Sequence, residues 1–259
     1  MFETIDLDIR DGIARLTLNR PEAANSMNPA LVRDLARAAL VCDTDASVKV
    51  VLITGRGKMF CAGGDLKAFA AFGDQTPTRV KEVADELHKA VSLLARMSAV
   101  VVIAVNGMAA GAGFSLCLTG DYVLAAESAK FTMAYTRAGL SPDGSSTYFM
   151  PRLIGMRRAQ ELMLTNRMLS AAEALDWGLI TKVVPDVSLD EAATAVATQL
   201  AAGSGAAHAT VKRLLLGTHA RGLEEQMEIE GREIARRAAD VDGIEGIQAF
   251  LGKRPPRFT

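Results

Sequence analysis

The sequence is poor in cysteine and histidine and has no excess of charge of either sign. Its three cysteines, Cys42, Cys61 and Cys117, are scattered and form no CxxC pair. With only His88, His208 and His219 there is no zinc-site spacing either. No disulfide framework and no metal are therefore expected, and the thiols read as reduced and buried in a cytoplasmic protein. A formal net charge of -1 excludes a general binder of nucleic acid or of an anionic membrane surface. Long apolar runs are missing too. The longest, Ala99 to Val105, is too short to cross a bilayer. The acidic, alternating start MFETIDLDIRDG resembles neither a secretory signal nor a transit peptide.

What is present is an ordinary globular composition, 49% hydrophobic and 23% charged over 259 residues, long enough to bury a large core. Two alternating segments flank Asp11-Gly12, the signal of a β-hairpin. Asn28-Pro29 opens a helical stretch, with Asn28 as N-cap and Pro29 in the first position. Val48–Thr54 and Ala99–Val105 are short buried strands, and Tyr122–Ala125 is a further strand. Lys81–Met97 has helical period, and Gly113–Thr119 begins another helix. Phe69–Val80 reads as a loop. This alternation predicts an α/β layered core over residues 1–190. Residues 191–259 read as a helical C-terminal region, with breaks near Gly203-Ser204-Gly205, Arg221-Gly222 and Asp242-Gly243.

Two strand exits are rich in small residues: Cys61-Ala62-Gly63-Gly64-Asp65-Leu66, and Asn106-Gly107 through Gly111-Ala112-Gly113. Small residues let a ligand approach the backbone, and a helix start presents unpaired N–H groups. A carbonyl oxygen held there would be stabilised as it gains negative charge. The plainer reading is that these glycines only permit tight turns and close packing. A dinucleotide fingerprint fails because Leu116 stands where its third glycine is required. A hydrolase elbow fails because Cys117 follows Gly113-x-Ser115.

Four ordered motifs carry a resemblance that covers essentially the whole chain. They are Asn19-Arg-Pro-Glu-Ala-Ala24-Asn-Ser26, Phe60-Cys-Ala62-Gly63-Gly64-Asp65-Leu66, Asn106-Gly-Met-Ala-Ala-Gly111-Ala112-Gly113 and Ala172-Glu-Ala-Leu-Asp-Trp177-Gly-Leu179. With them the chain resembles the crotonase (enoyl-CoA hydratase/isomerase) superfamily. The resemblance implies a spiral of ββα turns, a helical C-terminal trimerisation region, and homotrimers or dimers of trimers. It implies acyl-coenzyme A thioesters as substrates, coenzyme A being part of the substrate and no separate cofactor being needed. It also places an oxyanion hole at the N–H groups of Gly64 and Ala112. Ala24 and Ala62 match the adenine-binding segments, with Gly63, Asp65, Leu66 and Gly111 beside them. Phe250 and Lys253 match a segment that a neighbouring subunit lends to the coenzyme A pocket; by itself Lys253 reads equally as a solvated charge.

Departures from the family pattern bear on the reaction. Its hydratases use two glutamates, at positions that here are Ser115 and Tyr135, and neither side chain is a carboxylate. The remaining candidate is Asp143, in Ser141-Pro-Asp-Gly-Ser-Ser146. On local sequence alone it suits a helix N-cap. The segment also resembles that of the single-carboxylate enoyl-CoA isomerases, which makes Asp143 the acid/base. Gly155–Arg167 and Asp176–Leu179 resemble the 4-chlorobenzoyl-CoA dehalogenases, in which an Asp matching Asp143 is the nucleophile and a His matches His88. Those enzymes carry Trp at the position of Tyr135. An unusual hydratase and a catalytically silent coenzyme A ester binder complete the alternatives. Phe69, Phe72, Leu87 and Leu94 read as either pocket or core.

Overall fold

The structure, a computed structural model, describes residues 2–259. Asp11 and Gly12 both take left-handed backbone, with φ of 51° and 77°. A two-residue turn of that hand matches the twist of the strands it joins, and β1 (Ile5–Arg10) pairs antiparallel with β2 (Ile13–Leu18). The chain then enters α1 (Pro29–Thr44), where Asn28 accepts the Leu31 N–H at 2.9 Å and Pro29 opens the first turn.

From here one pattern repeats: a strand, a sharp corner, a short second strand, then helix. Its first round is β3 (Val50–Gly55), β4 (Met59–Cys61), α2 (Leu66–Ala70) and α3 (Thr76–Arg96). The second is β5 (Val100–Val105), β6 (Met108–Ala110) and α4 (Ala112–Cys117). The third is β7 (Tyr122–Ala126), β8 (Lys130–Thr132) and α5 (Ser146–Thr165). Closing elements follow as β9 (Leu169–Ser170), α6 (Ala171–Asp176) and β10 (Lys182–Val184). Long strands build a sheet in the order β1-β2-β3-β5-β7-β10, parallel beyond the first pair. Short strands build a second in the order β4-β6-β8-β9, parallel except for its last pair. Each round thus adds one strand to each sheet, which is the ββα spiral that the resemblance implies.

Two asparagines of the sequence motifs hold the corners. Asn25, wholly buried, donates to the carbonyls of Arg56, Met59 and Phe60 at 2.9–3.1 Å and accepts the Arg20 N–H at 2.8 Å. Asn106 accepts the Gly55 N–H at 3.1 Å and donates to the Gly57 carbonyl at 2.9 Å. Strand β5 is buried along its whole length, and β3 at all but one position, as their unbroken apolar runs require.

The C-terminal helices are α7 (Leu189–Ala201), α8 (Gly205–Gly217), α9 (Leu223–Ala238) and α10 (Val241–Leu251). Helix α7 lies on β3 and β5. Helix α8 is fastened to the core by Lys212, whose ammonium donates to the carbonyls of Leu94 and Ala99 at 2.7 and 3.0 Å and pairs with Asp121 at 2.7 Å. Burial pulls the Lys212 pKa below the ordinary lysine value against the opposing pull of Asp121. Among the described residues no helix is long and apolar enough to cross a membrane.

Two local expectations need correction. Phe69–Val80 is helical, not a loop: it holds the end of α2, a 3-10 turn at Gly73–Gln75 and the start of α3. The last helix break falls at Ala239-Asp240, because the Asp240 carboxylate caps α10 by accepting the Gly243 N–H at 2.9 Å. Asp242-Gly243 is therefore inside the first turn of α10.

Candidate active site

The two glycine-rich exits meet at the edge of the short sheet. Gly63 has φ 90°, and a Cβ there would lie 2.8 Å from the Ala110 carbonyl oxygen and 3.3 Å from the Ala112 nitrogen. Only glycine lets the backbones come this close. The Met27 N–H donates to the Gly63 carbonyl at 2.7 Å, the Asp65 N–H to the Met27 carbonyl at 3.0 Å, and the Ala62 N–H to the Ala24 carbonyl at 3.0 Å. Those bonds bracket Gly64, whose own N–H has no protein acceptor among the described residues. The same is true of the N–H of Ala112, the first residue of α4. Two unpaired donors therefore sit on neighbouring turns.

They face a cavity of about 360 Å³. Ala62, Gly63, Gly64, Gly111 and Ala112 line it from the turns. Leu66 and Phe69 from α2, with Pro77, Val80, Val83, Ala84 and Leu87 from α3, make an apolar wall. Tyr135, Ala138, Leu140, Ser141 and Asp143 complete it from the segment before α5. Of the residues offered as pocket or core, Phe69 and Leu87 line the cavity. Phe72 stacks on Phe69 with ring centroids 5.9 Å apart, and Leu94 is core.

Among the described residues, Asp143 is the only carboxylate in the lining. It does not cap α5. Gly144 and Ser145 both have positive φ, so Ser145 takes the position before the helix. Asp143 contributes only its backbone carbonyl there, accepting from the Ser146 N–H at 3.3 Å and the Ser146 hydroxyl at 2.9 Å. Its side chain is thereby released toward the cavity. A Cβ on Gly144 would lie 2.9 Å from the Ser115 Cβ, so this turn also packs tightly on α4.

The Tyr135 hydroxyl donates to Asp143 Oδ1 at 2.6 Å and lies 3.0 Å from the Ser115 hydroxyl. Burial first, and then the adjacent Asp143 carboxylate, push the Tyr135 phenol well above its ordinary pKa, so it remains a protonated donor. His88 Nε2 accepts the Gly144 N–H at 3.2 Å and is 3.8 Å from Asp143 Oδ2. His88 is beside Asp143 but outside the cavity lining.

Other expected residues have different surroundings. Asp65 and Ala24 lie next to the turns but not in the lining. The Asp65 carboxylate caps α2, accepting the Ala68 N–H at 3.1 Å, and pairs with Arg20 at 3.2 Å. Its burial raises its pKa, but these two partners hold it below the usual carboxylate value. Phe250 is 84% exposed and, with Lys253, lies outside this chain's cavity lining. The tail beyond them is held by Glu245, which pairs with Arg254 at 2.6 Å and accepts the Arg257 N–H at 2.8 Å. Cys61 and Cys117 are buried next to the site. Burial pushes the Cys61 thiol up to about 12 and raises Cys117 as well, so neither is a ready thiolate. The Ser115–Tyr135–Asp143 chain joins residues 20 and 8 positions apart and leaves no signal in the sequence.

A ββα spiral whose glycine turns floor an apolar cavity defines an enzyme of the crotonase fold. Residues 8–259 match the family model described as enoyl-CoA hydratase/isomerase. The chain is 40% identical, over 100% of its length and 98% of the relative, to "Probable enoyl-CoA hydratase" of Rhodobacter capsulatus. It is 39% identical to the 1,2-epoxyphenylacetyl-CoA isomerase of Escherichia coli, over 100% of this chain and 99% of that one. Against the trans-2-decenoyl-[acyl-carrier-protein] isomerase of Streptococcus mutans the identity is 31%, over 100% and 98%. Among solved structures, an enoyl-CoA hydratase from Polaromonas sp. JS666 superposes with a TM-score of 0.94 at 34% identity, covering 98% of this chain and 99% of the other. The chain belongs to the enoyl-CoA hydratase/isomerase family.

Proposed function

We propose that the protein is an enoyl-CoA isomerase that moves a double bond along an acyl-coenzyme A, with Asp143 as its single acid/base. The observation that carries this reading is the lone carboxylate of the cavity lining. A 1,3-shift needs one such group. Asp143 takes a proton from one carbon, and the electron pair of that C–H bond passes into conjugation with the thioester carbonyl. The enolate oxygen then lies at the N–H groups of Gly64 and Ala112, which oppose more negative charge in the transition state than in the ground state. Returning the proton to the far carbon restores the carboxylate. Similarity to two relatives named as isomerases supports the same choice.

Incubation with 3-enoyl-CoA esters should give conjugated 2-enoyl-CoA absorbance, and Asp143→Asn should lower the rate by at least about 100-fold. A protein that binds coenzyme A esters yet leaves 3-enoyl chains of several lengths unchanged is not this isomerase.

His88 beside Asp143 favours a second reading, in which the carboxylate attacks a ring carbon of a halogenated aromatic acyl group, halide leaves, and water hydrolyses the resulting aryl ester of Asp143. Oxygen from labelled water would then enter Asp143 in a single turnover; isomerisation leaves the residue unlabelled. In either case we read the exposed apolar face of α9 and α10 as a contact between copies in a homotrimer or dimer of trimers, with Phe250 and Lys253 serving a neighbour's site.

A further inference from the structure

We infer that Tyr135 is a positioning residue that ties up one oxygen of Asp143, so that substrate protons are carried by Oδ2 alone. This rests on the proposed isomerase reading. The two carboxylate oxygens have unlike surroundings. Oδ1 accepts the Tyr135 hydroxyl at 2.6 Å, a short bond of the charge-assisted kind. Oδ2 receives no hydrogen bond among the described residues; His88 Nε2 stands 3.8 Å from it and already accepts the Gly144 N–H.

Tyr135 is itself held. Since its proton points to Asp143, its oxygen accepts from the wholly buried Ser115 hydroxyl on α4 at 3.0 Å. Ser115 follows Ala112 by less than one helical turn, so the same short helix that presents the Ala112 N–H also anchors the carboxylate. Donor and base are in this way fixed relative to each other through Ser115 and Tyr135. The titratable and charged groups facing Asp143 are Tyr135, His88 on α3 and, elsewhere on the cavity wall, Lys81, which is paired with Asp85. Helix α4 presents only the Ser115 hydroxyl.

Removing the phenol has a direct consequence for the base. Asp143 loses a fixed orientation, which the transition state needs more than substrate binding does. Tyr135→Phe is therefore expected to lower kcat about tenfold with KM within about twofold, the effect of one hydrogen bond to a charged group.

A readout independent of turnover uses the three tyrosines, Tyr122, Tyr135 and Tyr148. With 3-fluorotyrosine incorporated, Tyr135→Phe identifies one of three fluorine resonances, and Asp143→Asn should shift that resonance more than the other two. An unshifted resonance, unchanged kcat, or an effect confined to KM each overturns the positioning role. A wild-type protein inert toward 3-enoyl-CoA overturns the isomerase reading instead, and the fluorine spectrum then decides alone whether Tyr135 holds Asp143.

Discussion

Asn25 has two features rarely combined in one residue: a left-handed backbone, φ 51°, and a side chain whose polar atoms are all engaged away from water. Asn tolerates that conformation better than most residues. Its amide closes the corner between β3 and β4 by bonding to three carbonyls, Arg56 in the corner and Met59 and Phe60 at the start of β4. Asn25→Ala removes these donors while leaving the carbonyls buried, at a cost of roughly 2–3 kcal/mol. The urea midpoint should fall at unchanged slope, which marks a loss of stability without a change in the unfolded state. An unaltered midpoint would mean that water or a shifted backbone replaces the amide. Asp143 shows the opposite residue-scale outcome. Its local sequence is that of a cap, and only the positive φ of Gly144 and Ser145 turns its carboxylate from that duty toward Tyr135.

At the scale of elements, the site depends on how closely two turns approach. Adding one methyl in Gly63→Ala places it 2.8 Å from the Ala110 carbonyl oxygen, at a φ of 90° that suits only glycine. The turns must then part, and the Gly64 and Ala112 N–H groups part with them. Misplacing such donors by about an ångström is expected to lower kcat on the order of 100-fold. Steady-state kinetics beside far-UV circular dichroism checks this: lost helix content would indicate misfolding, and unchanged kcat would show that these donors do not act on the substrate. Much of this layer is legible in the sequence. Asp11-Gly12, Asn28-Pro29 and the apolar runs of β3 and β5 each carry a local cause, and the local cause wins. Phe69–Val80 reads as a loop because Gly73-Asp74 interrupts it and α3 begins with no side-chain cap; Pro77 in the first turn of α3 is a local helix signal, and packing of α2 on α3 orders the rest. The Ser115–Tyr135 contact and the burial of Lys212 are likewise products of the spiral, which brings distant rounds together.

At the scale of the whole molecule, the two ends of the chain differ in how they satisfy the hydrophobic effect. The spiral encloses its apolar strands. The last two helices do not: α9 has no buried residue, and Leu223, Met227 and Ile234 on it, with Val241, Ile244, Ile247, Phe250 and Leu251 on α10, are all 46% exposed or more. Leaving so large a group of aliphatic and aromatic side chains in water is unfavourable, and surfaces of this kind are normally covered by a partner. Self-association by rotation would cover the same patch on every copy and close on itself. For the proposed homotrimer or dimer of trimers, light scattering should give three or six times the 27.5 kDa of one chain. Ile247→Glu, which puts a charge into the middle of the α10 face, should shift the mass toward a single chain while circular dichroism stays unchanged. Because Phe250 and Lys253 lie outside their own chain's cavity, the dissociated variant should also bind coenzyme A esters more weakly. A wild-type protein that runs as a single chain would leave this face for another kind of partner, and undiminished ester binding by the dissociated variant would show that each cavity is complete by itself.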